Sequence, residues 1–254
     1  MNIADLNMDA GMGLIMQNGN VIPFNEKYFA LRTRENRIYT DEELLQLPLI
    51  SKNHMHAKEW RVRENSCRRL VNYLKRKGPV SIVEIGCGNG WLSHQLSKIP
   101  NSAIKGIDIN ERELKQAGLV FREQGNLSFI NGDIYHLKAY GSSFDIIVFA
   151  ASIQYFDSFS KIITNALEHL REGGELHIID SPFYRVNDIR EARKRTNDYF
   201  SAIGFPEMTG HYFHHSIEDC KNFNYSILYD PNSLLNKFST IRNPFHWIRI
   251  RKNK

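Results

Sequence analysis

Cysteine is scarce in this chain of 254 residues. Cys67, Cys87 and Cys220 stand far apart, and no two of them make a C-x-x-C pair. That spacing argues against a disulfide framework and a zinc site, and points to a reducing compartment, the cytoplasm. Long apolar runs are missing as well. No stretch approaches the roughly 18 residues that a membrane helix requires, so no membrane span is expected. Met1 to Asp9 carries Asp5 and Asp9 and lacks a basic start leading into an apolar core, which excludes a secretory signal. Positive charge is in small excess, at a net +5. The excess gathers in Arg61 to Lys77, Arg185 to Arg195 and the tail Arg249 to Lys254. Solvated helix faces account for it as well as an anionic partner does. Arg190, Arg193, Lys194 and Arg195 are not interleaved with aromatics, so neither DNA nor RNA is an expected partner.

What is present is a core and a pattern. With 42% apolar residues the chain can bury the interior of one domain with a terminal extension. Up to about residue 25 it is rich in Met, Gly and Asn without a period, which reads as poorly ordered or as an extended cover. Thr40-Asp41-Glu42-Glu43 has the form of a capping box, and its helix should stop near Pro48. A second helix is predicted from Met55 to Lys77, with Trp60, Cys67, Leu70, Val71 and Leu74 at helical spacing. From Val80 strands and helices alternate with short connections, which implies a parallel sheet covered on both faces. Strands are expected at Val80–Ile85, Ala103–Asp108, Leu127–Ile130, Phe144–Ala150 and Glu175–Asp180. The last follows a helix from Ser158 to Arg171 that Gly173-Gly174 would end. A basic helix over Val186–Ala202 and a closing pair at Ser226–Tyr229 and Phe245–Ile250 complete the order. Residues 1–79 thus form an extension with a helical lid, and residues 80–254 the main domain.

The densest signal is Glu84-Ile85-Gly86-Cys87-Gly88-Asn89-Gly90-Trp91, a strand running into a glycine-rich turn that opens a helix. Such a turn brings backbone amides close to a ligand. A dinucleotide fingerprint would need glycine at Trp91, and a Walker loop would need a Gly-Lys-Ser/Thr ending. Neither pattern fits. E-x-G-x-G-x-G resembles the nucleoside-binding loop of the class I S-adenosylmethionine-dependent methyltransferases. Three further elements reach the same sheet edge: Asp108 closing the second strand, Asn131-Gly132-Asp133-Ile134 after the third, and Ala150-Ala151-Ser152-Ile153-Gln154-Tyr155 after the fourth.

The resemblance implies a Rossmann-like, doubly wound seven-stranded sheet, mostly parallel with an antiparallel closing strand, and an N-terminal helical extension. It implies S-adenosyl-L-methionine as cofactor, with Gly86, Cys87, Gly88 and Gly90 forming the loop and Glu84 supporting it and the methionine ammonium. Asp108 with Ile109 would meet the ribose, Asp133 with Gly132 and Ile134 the adenine, and Ala150 the sulfonium side. Arg63 is a candidate for the methionine carboxylate. Methyl transfer from a sulfonium needs alignment more than proton chemistry, so the acceptor is not legible in these loops. An Asp/Asn-Pro-Pro-Tyr/Phe turn after the fourth strand, as in enzymes that methylate exocyclic amines of DNA bases, is absent. The place holds Ala151-Ser152-Ile153-Gln154-Tyr155, which looks more like methyltransferases of small molecules or lipids. If the acceptor must lose a proton, His214 or His215 is the candidate base and Asp180 the second. A metal at His211, His214 and His215 is not expected, because no acidic or cysteine ligand stands at matching spacing. The rival readings are a cofactor-binding module without turnover, and an RNA or protein methyltransferase.

Overall fold

The computed structural model describes residues 15–17, 20–22, 24–135, 137, 143–237 and 241–252. The described residues begin with a hairpin, β1 (Ile15–Gln17) and β2 (Asn20–Ile22), so part of the segment expected to be poorly ordered or an extended cover is an extended pair. Residues 1–14 lie outside the described residues. Three helices follow: α1 (Phe24–Arg34), α2 (Asp41–Gln46) and α3 (Ala57–Lys75). Both bonds of the capping box form. Glu43 N–H donates to Thr40 Oγ1 (3.2 Å) and Thr40 N–H to Glu43 Oε2 (2.9 Å). Helix α1 was not evident in the sequence, since Lys27 sits within its buried stripe beside Leu31.

The alternating core then runs β3 (Ser81–Ile85), α4 (Trp91–Ser97), β4 (Ala103–Asp108), α5 (Glu111–Val120), β5 (Leu127–Asn131), β6 (Phe144–Ala150), α6 (Phe159–Glu168) and β7 (Leu170–Ile179). A two-stranded parallel pair joins β8 (Phe183–Tyr184) to β9 (His215–Ser216) across α7 (Ile189–Ala202). The chain closes through β10 (Tyr225–Tyr229), the short α8 (Leu234–Lys237) and β11 (Trp247–Arg251).

Seven strands form one sheet in the order β10-β11-β7-β6-β3-β4-β5. The pairs from β7 through β5 are parallel, and β11 runs antiparallel between β7 and β10. This is the expected doubly wound sheet with one reversed strand. Alternation along β3 sorts the two faces: Ile82 packs with α3, α4 and α5 through Leu70, Leu92 and Ala117, whereas Val83 and Ile85 pack with α6 through Ile162 and Ile163. One boundary is corrected. Helix α6 ends at Glu168 instead of Arg171, and Gly173-Gly174 lies inside β7 as an excursion from the β6 register. Gly173 takes φ 72° there, and Arg171 leaves the ladder to pair with Asp145 (2.8 Å). The glycines thus mark a bulge and not a helix end. Among the described residues no helix is long and apolar enough to cross a membrane.

Candidate active site

The carboxyl ends of β3, β4, β5 and β6 converge, and the backbone there is unusual. Gly86, Gly88 and Gly90 all have left-handed φ (71°, 52° and 74°). So do Ala151 and Asp180, at 53° and 52°, just past the ends of β6 and β7. Left-handed non-glycine residues cost energy and gather where a site over-determines them. Each glycine of the turn has its own reason to lack a side chain. A Cβ on Gly86 would lie 2.6 Å from Ser152 Cβ, and one on Gly90 would lie 2.5 Å from the Phe129 ring. At Gly88 the nearest atoms are the Glu113 carboxylate oxygens at 3.6 Å, so this glycine answers to conformation and to approach from outside.

Asp108 ties the edge together. Its Oδ2 accepts from Gly88 N–H (2.7 Å), its Oδ1 from Asn110 N–H (2.8 Å), and its carbonyl from Gly132 N–H (3.0 Å). Burial pushes its carboxyl up, and the amides of Asn110, Gly88 and Ile109 pull it back. Glu113 lies beside it, bonded to Asn110 Nδ2 (2.9 Å), and burial reinforced by Asp108 lifts it to about 7. The sequence reading passed over Glu113 because a glutamate after an Asn cap reads as helix chemistry. Glu113 lies in the first turn of α5, past the Asn110 cap and off the strand end that carries Asp108.

Glu84 is buried in the sheet and accepts from Ser93 Oγ (2.6 Å); burial raises it to about 8. Asp133 accepts from Tyr135 N–H (3.1 Å), with Ile134 buried next to it and Ile109 exposed on the neighbouring turn. Cys87 is buried, its thiol pushed well up by burial, and its N–H donates to Ile107 O (3.1 Å). Ala150 ends β6, and Ser152 Oγ donates to Ile85 O (2.6 Å), which locks that turn to the glycine loop. Arg63 pairs with Glu59 (2.9 Å) and lies over the Trp60 ring, while its field reaches both Glu84 and Asp180. Trp60 itself is core: Nε1–H donates to Tyr39 Oη (2.7 Å), and its ring meets Trp91 edge-on.

The proton-handling candidates are each engaged within the fold. His214 Nε2 lies 2.8 Å from Thr196 Oγ1, and the ring also bonds the Ala192 carbonyl. His215 Nε2 lies 3.0 Å from Ile153 O, and the ring packs on Phe159. Burial lowers both histidines, leaving them neutral at pH 7. Asp180 accepts from Ser66 Oγ (2.5 Å) and Asn243 Nδ2 (3.2 Å), and its Oδ2 is buried without a partner. Among the described residues no cluster of His, Cys, Asp or Glu is arranged to hold a metal ion.

Helix α1 covers the edge from outside. Burial raises Tyr28 well above a normal phenol, and the fields of Tyr155, Glu113 and Asp108 add to it, so Tyr28 is within electrostatic reach of both carboxyls. Phe29 on the same helix lies under the Arg112 guanidinium at 4.9 Å. Neither contact was foreseen, because α1 itself was not.

Residues 82–174 match the methyltransferase domain family. The chain is 26% identical over 164 residues to the malonyl-[acyl-carrier protein] O-methyltransferase of Halalkalibacterium halodurans, covering 59% of this chain and 60% of that protein. It is 30% identical over 117 residues to the trans-aconitate 2-methyltransferase of Deinococcus radiodurans, covering 46% and 43%. The chain spans about half the length of these relatives. In fold it is similar to the magnesium protoporphyrin IX methyltransferase of Synechocystis PCC 6803, solved with S-adenosylhomocysteine bound: TM-score 0.57, 17% identity, 90% of this chain and 97% of that one. An O-methyltransferase family protein from Burkholderia thailandensis aligns with TM-score 0.54 at 11% identity, over 90% and 70%. Sheet order, glycine turn and domain match agree: residues 82–174 carry a methyltransferase domain, on a sheet with the strand order that the class I resemblance implies.

Proposed function

We propose that the chain binds S-adenosyl-L-methionine at the carboxyl edge of β3–β6 and transfers its methyl group to a small-molecule acceptor. The observation that carries this reading is the bond from Gly88 N–H to Asp108 Oδ2, which sets a Cβ-free turn against a half-buried carboxylate. A nucleoside needs acceptors for paired hydroxyls and a surface without side chains, and these residues supply both. Glu84 adds a second fit. A buried carboxyl raised to about 8 is one that a cationic group would stabilise in its ionised form.

When bound, S-adenosyl-L-methionine supplies an activated methyl group on a sulfonium. The residues of this chain bind and orient. Asp108 accepts from the ribose hydroxyls with Ile109 alongside, and Asp133 accepts from the adenine amine, flanked by Gly132 and Ile134. Gly86, Cys87, Gly88 and Gly90 present the loop backbone. Glu84 and Arg63 face the ammonium and carboxylate of the methionine part, and Ala150 lies on the sulfonium side. Residues up to 79 act as a lid through α1, which excludes water from the edge. The relatives named for a malonyl thioester carrier and for trans-aconitate favour a small-molecule acceptor over a nucleic acid.

Calorimetric titration with S-adenosylhomocysteine, with NAD as control, tests the site. Asp108→Ala and Gly88→Val should each weaken S-adenosylhomocysteine by at least about tenfold, or ~1.4 kcal/mol, while the far-ultraviolet spectrum stays that of the parent. Unchanged affinity in both variants rules out this edge as the cofactor site. Binding without transfer to any acceptor would favour the non-catalytic module.

A further inference from the structure

A cavity of ≈ 240 Å³ opens between α1 and α7, next to the cofactor edge. Tyr155, in the turn after β6, forms part of its wall. The Tyr155 ring meets Tyr28 edge-on at 5.6 Å, and Tyr155 N–H donates to the carbonyl of Ser152 (3.1 Å), whose hydroxyl is bonded to Ile85 O beside the glycine turn. The cavity therefore shares a wall with the place where the methyl donor belongs.

The chemistry of the lining is lopsided. It holds two guanidiniums, Arg32 and Arg195, and one carboxylate, Glu35. Glu35 is engaged three times over, by Arg32 (2.9 Å), by Arg37 (3.3 Å) and by Tyr199 Oη–H (2.5 Å). Arg32 also donates to Tyr155 Oη (3.2 Å), which fixes its plane against the wall. Arg195 makes no salt bridge among the described residues. On the same face of α1, Lys27 buries its ammonium without a hydrogen-bond partner, near enough to His211 to lower that histidine. Cationic groups thus outnumber anionic ones around a small, partly aromatic space, an arrangement that lowers the energy of an anion placed there.

The one carboxylate of that lining, Glu35, already has its oxygens taken up by Arg32, Arg37 and Tyr199. Thr196 is bonded to His214, which stands behind the wall and also bonds the Ala192 carbonyl, so its Nε2 accepts the Thr196 hydroxyl proton and is occupied. Tyr199 is held up to about 12 by burial and Glu35, and burial raises Tyr184 and Tyr212 too. These phenols are donors at neutral pH. An alcohol or phenol acceptor would have to displace Arg32, Arg37 or Tyr199 from Glu35 to lose its proton; a carboxylate needs no base.

We propose that this cavity is the acceptor site and that it takes a small, flat carboxylate, which is methylated on oxygen to a methyl ester. The inference rests on the methyltransferase reading above. One carboxylate oxygen forms the new C–O bond, the C–S bond of the donor breaks, and its electron pair goes to sulfur. No proton moves, and the negative carboxylate and positive sulfonium are both neutralised. Arg195 holds the acid and has no charge to hold on the ester, so the product leaves more readily than the substrate.

The test uses protein already saturated with S-adenosylhomocysteine, with trans-cinnamate and its neutral methyl ester as probes in calorimetry. If the first saturation fails, the cofactor reading falls before any acid is added. With saturation achieved, trans-cinnamate should bind at least about tenfold more tightly than the ester. Arg195→Gln, at an exposed position of α7 where folding is not at stake, should abolish that preference, and Arg195→Lys should restore part of it. Equal binding of acid and ester, no binding of either, or a preference that survives Arg195→Gln overturns the proposal. Turnover gives an independent check. Tritiated methyl incorporated from the donor into a panel of aromatic and unsaturated acids should be released as methanol by mild alkali, and alkali-stable label excludes an ester.

Discussion

Gly90 shows how one residue can serve packing while belonging to a binding motif. Its φ of 74° is left-handed, and a methyl group there would lie 2.5 Å from the Phe129 ring and 3.1 Å from Ala117 Cβ. Neither neighbour is the free end of a flexible chain. Gly90→Ala should therefore cost roughly 2–4 kcal/mol, combining left-handed strain with overpacking, and lower the urea midpoint accordingly. A midpoint equal to the parent's would mean the turn relaxes freely. Gly88→Val adds left-handed strain at φ 52° without overpacking, since only the Glu113 carboxylate lies near, so its effect beyond that strain should fall on binding. The contrast explains what the sequence could and could not tell. Asp108 and Asp133 were legible because strand ends are legible, and a carboxylate at a strand end has few places to go. Glu113 reaches the same point from within α5, and its role follows from the third dimension only. His214 and His215 drew notice as a cluster, yet each is held by its own backbone carbonyl and neither lines the cavity.

Among the elements, α1 departs most from expectation. A helix is read from an unbroken apolar stripe, and here the stripe Phe24, Tyr28, Leu31 contains Lys27. Tertiary packing supplies what the pattern withholds: Leu31 meets Phe200 and Met208 in a small core of its own, apart from the two cores on the faces of the sheet. Helix α1 is thus fastened mainly to α7 and the turn after it, and reaches the edge through Tyr28 and Arg32 on Tyr155 and through Phe29 under Arg112. An element with so small a core is the one expected to open for ligand exchange. Hydrogen exchange should show the amides of residues 24–34 slowed by about tenfold or more when S-adenosylhomocysteine saturates the protein, with α6 unchanged. Equal protection of α1 with and without the ligand would remove it as a lid. The misplaced end of α6 has a simpler origin. A Gly-Gly pair after a helical stretch reads as a stop, whereas here β7 begins before it and tolerates it as a bulge.

Across the whole molecule the ionisable groups pull stability in two directions with pH. Glu84 and Glu113 have folded values raised by burial to about 8 and about 7. A raised acid contributes its full stability below its unfolded value and loses it as pH climbs through the folded one, so both erode the ligand-free fold from roughly pH 4.5 upward. His94 works the other way. Buried against Phe121 and lowered to about 4, it stabilises the fold above its unfolded value and loses that contribution as pH falls from about 6.5 toward 4. Glu59, held near 2 by Arg37 and Arg63 against its burial, loses its contribution further down the acid side. Glu175, which joins α3, β7 and β11 through Lys77, Arg249 and Arg251, does so in the same range. Calorimetric melts of the ligand-free protein should accordingly peak at about pH 5.5–6.5 and decline on both sides. S-adenosylhomocysteine carries an ammonium that Glu84 can face, so the ligand should flatten the alkaline limb and leave the acid limb nearly as it was. Glu84→Gln should flatten the same limb without ligand, because the amide never ionises, while weakening the ligand's effect. A melting temperature that keeps rising to pH 8.5 in the ligand-free protein would show that Glu84 is ionised within the sheet, and the ammonium would then have to be held by another group.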